Sequence, residues 1–236
     1  MNQSDRWLLI SDLQIPYEAP KALEFVKYVQ KHFKIPHENV YCVGDEIDNL
    51  HGSLYPKDPN VEFSPRGEIR QAKEKLKQWA SEFPRLKIAI SNHEQRWLKK
   101  ATASEIPSEI IRSTREIFEL PETWHWQDRW LVRAKHPFIV LHGVEFGGKT
   151  PYRQACELLG HSVAFGHLHS SAGISYVNTS SSKQPGGYRV WGFNTGSLID
   201  IDADAFRYGR HNKYKPNLGI GVVLDDGKMP VWVPYD

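Results

Sequence analysis

Two cysteines in 236 residues, Cys42 and Cys156, are too few for a disulfide framework. Cys42 lies in the apolar run VYCVG and Cys156 in a helix-like stretch, so both read as small buried hydrophobes, with no bridge expected. Long apolar runs are also missing. No stretch approaches the ~20 residues that a membrane span needs, so no membrane partner is expected. The opening MNQSDRWLLISD has no basic flank and only a short apolar run, and does not read as a signal peptide. A reducing, cytoplasmic setting is the expectation. An excess of one charge is lacking as well: 30 Lys and Arg against 28 Asp and Glu leave a formal +2. That is too little to argue for nucleic acid on charge alone. Internal repeats and low-complexity segments are absent too.

What remains is an ordinary globular composition, 40% hydrophobic and 25% charged. The length suits one large domain over residues 1–236 that buries roughly 70–75% of its unfolded surface. Trp7 to Ser11 has the length of a strand. Ala22 to Phe33 sets Leu23, Val26, Val29 and Phe33 at helical spacing, and Val40 to Val43 reads as a buried strand. Strand, helix, strand within forty residues predicts a βαβ unit and a parallel pair. Residues 51–64 are rich in Pro, Asp, Gly and Ser and read as a loop. Arg66 to Phe83 is an amphipathic helix, Leu86 to Ile90 a third strand, and helix is expected again after Asn92. Residues 102–128 read as a helical insertion.

Beyond residue 129 the pattern turns to β. WLVRA, FIVLHG, SVAFGH, AGISYV, YRVWGFN, LGIGVVL and MPVWV are short apolar or alternating runs divided by turn signals. One helix, Tyr152 to Leu159, interrupts them, and Ser180 to Gly187 reads as a flexible loop. Parallel strands with helices followed by mostly strands predict an α/β fold of stacked sheets with helices outside.

Polar residues recur where strands end. The first strand runs into Asp12-Leu13-Gln14, the second into Gly44-Asp45-Glu46-Ile47-Asp48, and the third into Ser91-Asn92-His93-Glu94. Later strands run into Leu141-His142-Gly143 and Gly166-His167-Leu168-His169. Carboxyl ends of strands gather on one edge of an open α/β sheet, where ligands bind. Asp12, Asp45, Asn92, His142, His167 and His169 are therefore expected to converge. Carboxylate, amide and imidazole together suit hard or borderline divalent metals. Six such groups exceed the needs of one tetrahedral ion. Two ions about 3.5–4 Å apart, bridged by one carboxylate, would use them all.

In this order the five blocks resemble the signature of the calcineurin-like metallophosphoesterase superfamily: D-x-H, G-D-x-x-D, G-N-H-E, a strand-end H, and G-H-x-H. The likeness covers about residues 7 to 200. It implies a four-layer α/β/β/α sandwich of two mixed β-sheets flanked by helices. It also implies two divalent ions, Mn²⁺ first, with Mg²⁺, Fe²⁺, Zn²⁺ or Ni²⁺ as alternatives. Carried over residue by residue, Asp45 would bridge both ions. Asp12, Gln14 and His169 would complete one site, and Asn92, His142 and His167 the other. His93 would protonate the leaving-group oxygen or steady the phosphate, polarised by Asp48. The reaction implied is hydrolysis of a phosphodiester or nucleotide-type ester by a metal-bridging hydroxide. The substrate is then a phosphate ester, with nucleic acid as one candidate. Asn194, in GFNTGS, resembles the N-x-G-S turn that ends the family core and reads as structural.

Two positions depart from the pattern. Ser91 replaces the usual Gly, which a compatible backbone angle would absorb. Gln14 replaces the usual His and would offer an amide oxygen, which favours harder ions. Either that site is weaker, or Gln14 does not ligate; the retention of every other ligand favours a weakened site. The rival to an enzyme is a scaffold of the same fold that has lost catalysis, with Gln14 its first sign; retention of His93 and Asp48 speaks against it. Lys149, Tyr152 and Arg153 are candidates for the substrate cleft. Phe206 to Lys215 (FRYGRHNKYK) interleaves Arg, Lys and Tyr as a base-stacking surface would, although a basic edge loop is the preferred reading. Glu46 is expected to be exposed, and Glu94 to open a helix. Arg96 is placed in no role.

Overall fold

The computed structural model describes residues 5–181, 184–209 and 211–236. Four parallel strands form the centre of a six-stranded sheet: β1 (Trp7–Ile10), β2 (Val40–Cys42), β3 (Leu86–Ala89) and β4 (Trp124–Gln127). Between them run helix α1 (Ala22–His32), helix α2 (Pro65–Glu82), and the shorter α3 (Arg96–Ala103) and α4 (Thr114–Phe118). The second sheet holds β5 (Arg129–Val132), β6 (Phe138–Leu141), β7 (Ser162–Phe165), β8 (Gly173–Ser181) and β9 (Gln184–Asn194), with α5 (Pro151–Leu159) between β6 and β7. The chain then returns to the first sheet through β10 (Gly219–Leu224) and β11 (Met229–Pro234). Strand order is β11-β10-β1-β2-β3-β4 in one sheet and β5-β6-β7-β9-β8 in the other. Both are mixed: β10 runs antiparallel to β1, while β6 and β7 are parallel and β5 opposes β6.

The layering follows from the pleat. Every residue of β1 is buried, as expected of a strand covered on both faces. Its alternate side chains point opposite ways. Leu8 and Ile10 pack with Val26 and Val29 of α1 and Leu76 and Trp79 of α2. Trp7 and Leu9 instead join Phe138, Val140, Trp191 and Phe193 of the second sheet. On the far face of that sheet Val163 and Phe165 meet Ala155 of α5. Helices, sheet, sheet and helix thus stack as an α/β/β/α sandwich of two mixed sheets. Each fully buried Leu, Val or Phe in these layers contributes about 1.5–3 kcal/mol.

Two stretches differ from expectation. Part of 102–128 is short helix, but Trp124–Gln127 is a strand that pairs parallel with β3, register Leu86 to Trp124. Its buried Trp124 sits in the helix-facing core; WHWQ does alternate apolar and polar residues, but over only four positions, too short a run to mark a strand by itself. Ser180–Gly187, expected as a loop, is largely strand, since β8 and β9 pair as far as Ser181 with Gln184. Residues 182 and 183 of that stretch lie outside the described residues. Both cysteines are buried and unbridged. Among the described residues no helix is long and apolar enough to cross a membrane.

Candidate metal centre

The loops that follow β1, β2, β3, β6 and β7 meet at one edge. Backbone amides of Leu13 and Gln14 donate to the Asp45 carbonyl (3.1 and 2.7 Å), locking the first two loops together. Three residues of this edge, Gln14 (φ 50°), Asp45 (φ 49°) and His167 (φ 65°), adopt the left-handed region. Non-glycine residues rarely do so, and such outliers cluster at functional sites. Two glycines are required by close approach. A Cβ on Gly44 would stand 2.6 Å from His142 Nδ1, and one on Gly166 would stand 2.1 Å from Asp12 Oδ1. Ser91 has no left-handed backbone and so needs no glycine.

Two groups of ligand atoms result. Asp45, His142 and His167 form one, and Asp12, Asp45 and His169 the other, the atoms of each lying within 4.8 Å of one another. Asp45 belongs to both. Its Oδ1 is 3.4 Å from His142 Nε2, and Asp12 Oδ2 is 3.2 Å from His169 Nε2. Asn92 Oδ1 lies 2.9 Å from His142 Nε2, and Gln14 Nε2 lies 3.4 Å from Asp45 Oδ2 and 3.3 Å from His169 Nε2. All seven metal-ligand candidates of the sequence therefore meet here. Gln14 faces the others with its amide nitrogen, while its Oε1 is buried without a partner. Offering oxygen to a cation requires this amide to turn over.

Electrostatics make the cluster short of positive charge. His142 Nδ1 lies 3.0 Å from the Val43 carbonyl, while its Nε2 faces the oxygens of Asn92 and Asp45. An imidazole between acceptors on both sides holds a proton or a cation. Burial alone would lower its pKa, but Asp45 in direct contact, and Asp12 further off, push it up to about 9. Burial likewise opposes charge on Asp45, yet His142 and His93 hold its carboxyl well below the usual range. His167 is lowered by burial and by the neighbouring His142, which keeps it neutral, the form that ligates. Asp12 Oδ1 is buried without a hydrogen-bond partner. The orphaned Asp12 oxygen beside a carboxylate–imidazole cluster fits bound divalent cations.

His93 borders the same edge. Its Nδ1 is 2.9 Å from Asp48 Oδ1, its Nε2 is 3.6 Å from Asp45 Oδ2, and Arg96 Nη2 lies 2.7 Å from that Nε2. Arg96 also donates to the Asp48 carbonyl (2.7 Å) and to its Oδ1 (3.1 Å). Arg96 is thus part of the site, a role not read from the sequence; its place three positions past His93, on a turn entering α3, was the available signal. Asn194 is fully buried and donates to the Leu168 carbonyl (2.9 Å), bracing the turn between His167 and His169.

Over Gln14, Asp45, His93, His167 and His169 opens a cleft of 460 Å³. Lys149, Tyr152 and Arg153 do not line it. Tyr152 packs behind the second sheet, because α5 covers that sheet's outer face, and Arg153 pairs with Glu157 at 2.8 Å. Lys149 is exposed just ahead of that helix. Phe206, Asn212, Tyr214 and Lys215 of the basic–aromatic segment line the same cleft. Arg207 of that segment lies 3.5 Å from Asp58, and Arg210 falls outside the described residues. Glu46, expected outside, is buried and accepts from Trp126 Nε1 (2.9 Å). Glu94 precedes α3 instead of opening it.

Fold and site together define a two-sheet α/β protein with two groups of carboxylate and imidazole atoms that share Asp45. Comparison of the chain with family models and with curated proteins gives no match.

Proposed function

We propose that this chain is a metal-dependent phosphoesterase acting on a phosphodiester or a nucleotide-type phosphate ester. The observation that carries the proposal is the sharing of Asp45 between two ligand groups, each completed by residues from other strand ends. Asp12, Gln14 and His169 on one side, and Asn92, His142 and His167 on the other, would hold a pair of divalent ions, with Mn²⁺ the first choice for this mix of oxygen and nitrogen. Such a pair activates water at neutral pH and neutralises charge on the phosphoryl group. The resemblance of the five sequence blocks to the calcineurin-like metallophosphoesterases supports the same reading.

The chain's own residues supply the rest. His142, fixed at Nδ1 by the Val43 carbonyl, presents Nε2 to the centre. His93 stands at the cleft with Asp48 behind it, placed to pass a proton to the departing oxygen or to hold a phosphoryl oxygen. The Arg96 guanidinium adds positive charge at the same point. A scaffold that only binds partners has no use for this His–Asp–Arg set, which argues for the enzyme.

The test is hydrolysis of bis(p-nitrophenyl) phosphate by protein purified with Mn²⁺. Turnover is expected that chelator removes and Mn²⁺ restores. His93→Ala should lower kcat by about 10²–10⁴ with metal content retained, and Asp45→Asn should lose both ions. Wild-type turnover no higher than that of His93→Ala would sink the reading in favour of the scaffold.

A further inference from the structure

Resting on that reading, we infer that the cleft is built for a nucleobase: the phosphate ester it takes is a nucleoside phosphate, its base lying against Tyr214. Beside the candidate metal ligands the lining of this cleft is largely apolar, with Ile199, Ile201, Phe206 and Pro216 along it. Phe206 and Ile199 are buried with Tyr17 in a small cluster of their own, so this part of the wall is firm. Tyr214 is different. It is 71% exposed at the mouth of the same cleft, with Lys213 Nζ 5.4 Å from its ring centroid. An aromatic ring left in water beside an apolar wall offers a stacking platform at little ordering cost.

The polar groups on this wall decide the occupant. Asn212, Asp202 and Lys215 line the cleft together with the apolar residues. A lipid chain would match the apolar surface and leave the Asn212 amide facing hydrocarbon. A further phosphate would match Lys215 and leave Ile201, 45% exposed, and Tyr214 without a partner. A nucleobase presents a planar apolar face and an edge of donors and acceptors, and so satisfies both. With the phosphate at Asp45 and His93, the base is left the Ile199, Phe206 and Tyr214 lining of the same 460 Å³ cleft, a volume within the ordinary range for small-molecule sites.

The experiment compares thymidine 5′-monophosphate with deoxyribose 5-phosphate, which carries the same phosphate and sugar without the base, by calorimetric titration of the Mn²⁺-loaded protein. The nucleotide should bind about 10-fold or more tightly, in line with stacking on one aromatic side chain. Tyr214→Ala should bring the two affinities to within about 2-fold of each other, and Tyr214→Phe should keep the preference. Equal affinities in the wild type, or a preference untouched by Tyr214→Ala, would overturn the inference. Hydrolysis of thymidine 5′-(p-nitrophenyl phosphate) is scored separately. Base-dependent binding without any turnover would reject the phosphoesterase reading while keeping the base wall.

Discussion

Glu46 directly follows the shared carboxylate, yet its side chain points into the protein and meets Trp126. Burial, helped by the nearby Asp45, pushes its pKa from the ordinary 4.5 up to about 7. Glu94 is pushed up to about 8, by burial first and then by Glu46. For an acid whose pKa is raised by folding, the folded state binds the extra proton, so stability is greatest at low pH and falls as pH rises from the unfolded value to the folded one. The window here is pH 4.5 to about 7. Across it the metal-free protein should lose up to about 3 kcal/mol on account of Glu46, a ceiling because Glu94 shares the burden. Glu46→Gln keeps an acceptor for Trp126 and removes the charge. Urea unfolding in chelator should find it no weaker than wild type at pH 5 and about 1–3 kcal/mol more stable at pH 8. A variant less stable at pH 8 would show that the carboxylate is held charged by something else. None of this was legible in the sequence, where GDEID places Glu46 on a loop; the Trp126 that meets it belongs to β4, four alternating residues inside a stretch that reads as a helical insertion.

Elements were the legible scale. Strands β1, β2, β3, β6 and β7 announced themselves as short apolar runs, and each one ends within a few residues of a candidate ligand. Their order in the chain, with polar residues at the ends, was enough to expect convergence, because parallel strands deliver their carboxyl ends to one edge. The segment carrying Tyr214 reads in the sequence as a basic edge loop, since a basic–aromatic stretch far along the chain gives no hint of what it will face. Helix α5 misled in the opposite way: Tyr152 and Arg153 lie near His142 in sequence but on the outer face of the second sheet. How tightly the strand ends pack was also invisible. Gly166 lies where a Cβ would meet both Asp12 Oδ1 and Val43 Cγ2, at 2.1 and 2.6 Å. Neither neighbour can retreat: the Asp12 carboxylate accepts from the His167 amide at 2.7 Å, and Val43 sits in the core between the sheets. Gly166→Ala should therefore cost about 1–3 kcal/mol by overpacking and lower Mn²⁺ stoichiometry at the Asp12–His169 group. Metal analysis after dialysis checks this; unaltered content and stability would mean that the turn after β7 has slack.

At the level of the whole molecule, the candidate ligands divide by sheet. Asp12, Asp45 and Asn92 follow strands of the first sheet, and His142, His167 and His169 follow strands of the second. The two sheets already share the apolar layer of Trp7, Leu9, Phe138 and Phe193, but at the ligand edge the contact is between carboxylates and imidazoles. A bound pair of cations would act there as a clamp between the sheets. Ligands that bind only the folded state stabilise by mass action: at free metal ~100 times the dissociation constant the gain is about 2.7 kcal/mol per site. For a chain of this size each kcal/mol raises the melting temperature by roughly 2–4 °C. Mn²⁺ should therefore raise it by about 5–10 °C if one site fills, and by more if both do. Asp45→Asn, which strips the carboxylate common to both groups, should abolish the shift. Asn92→Ala, which touches one group, should leave part of it. Hydrogen exchange gives the sharper readout: chelation should release amides at the ends of β1, β2, β6 and β7 and spare the centre of the inter-sheet layer. Protection lost evenly through both sheets would instead mean that the metals govern global stability without joining these two halves at the edge.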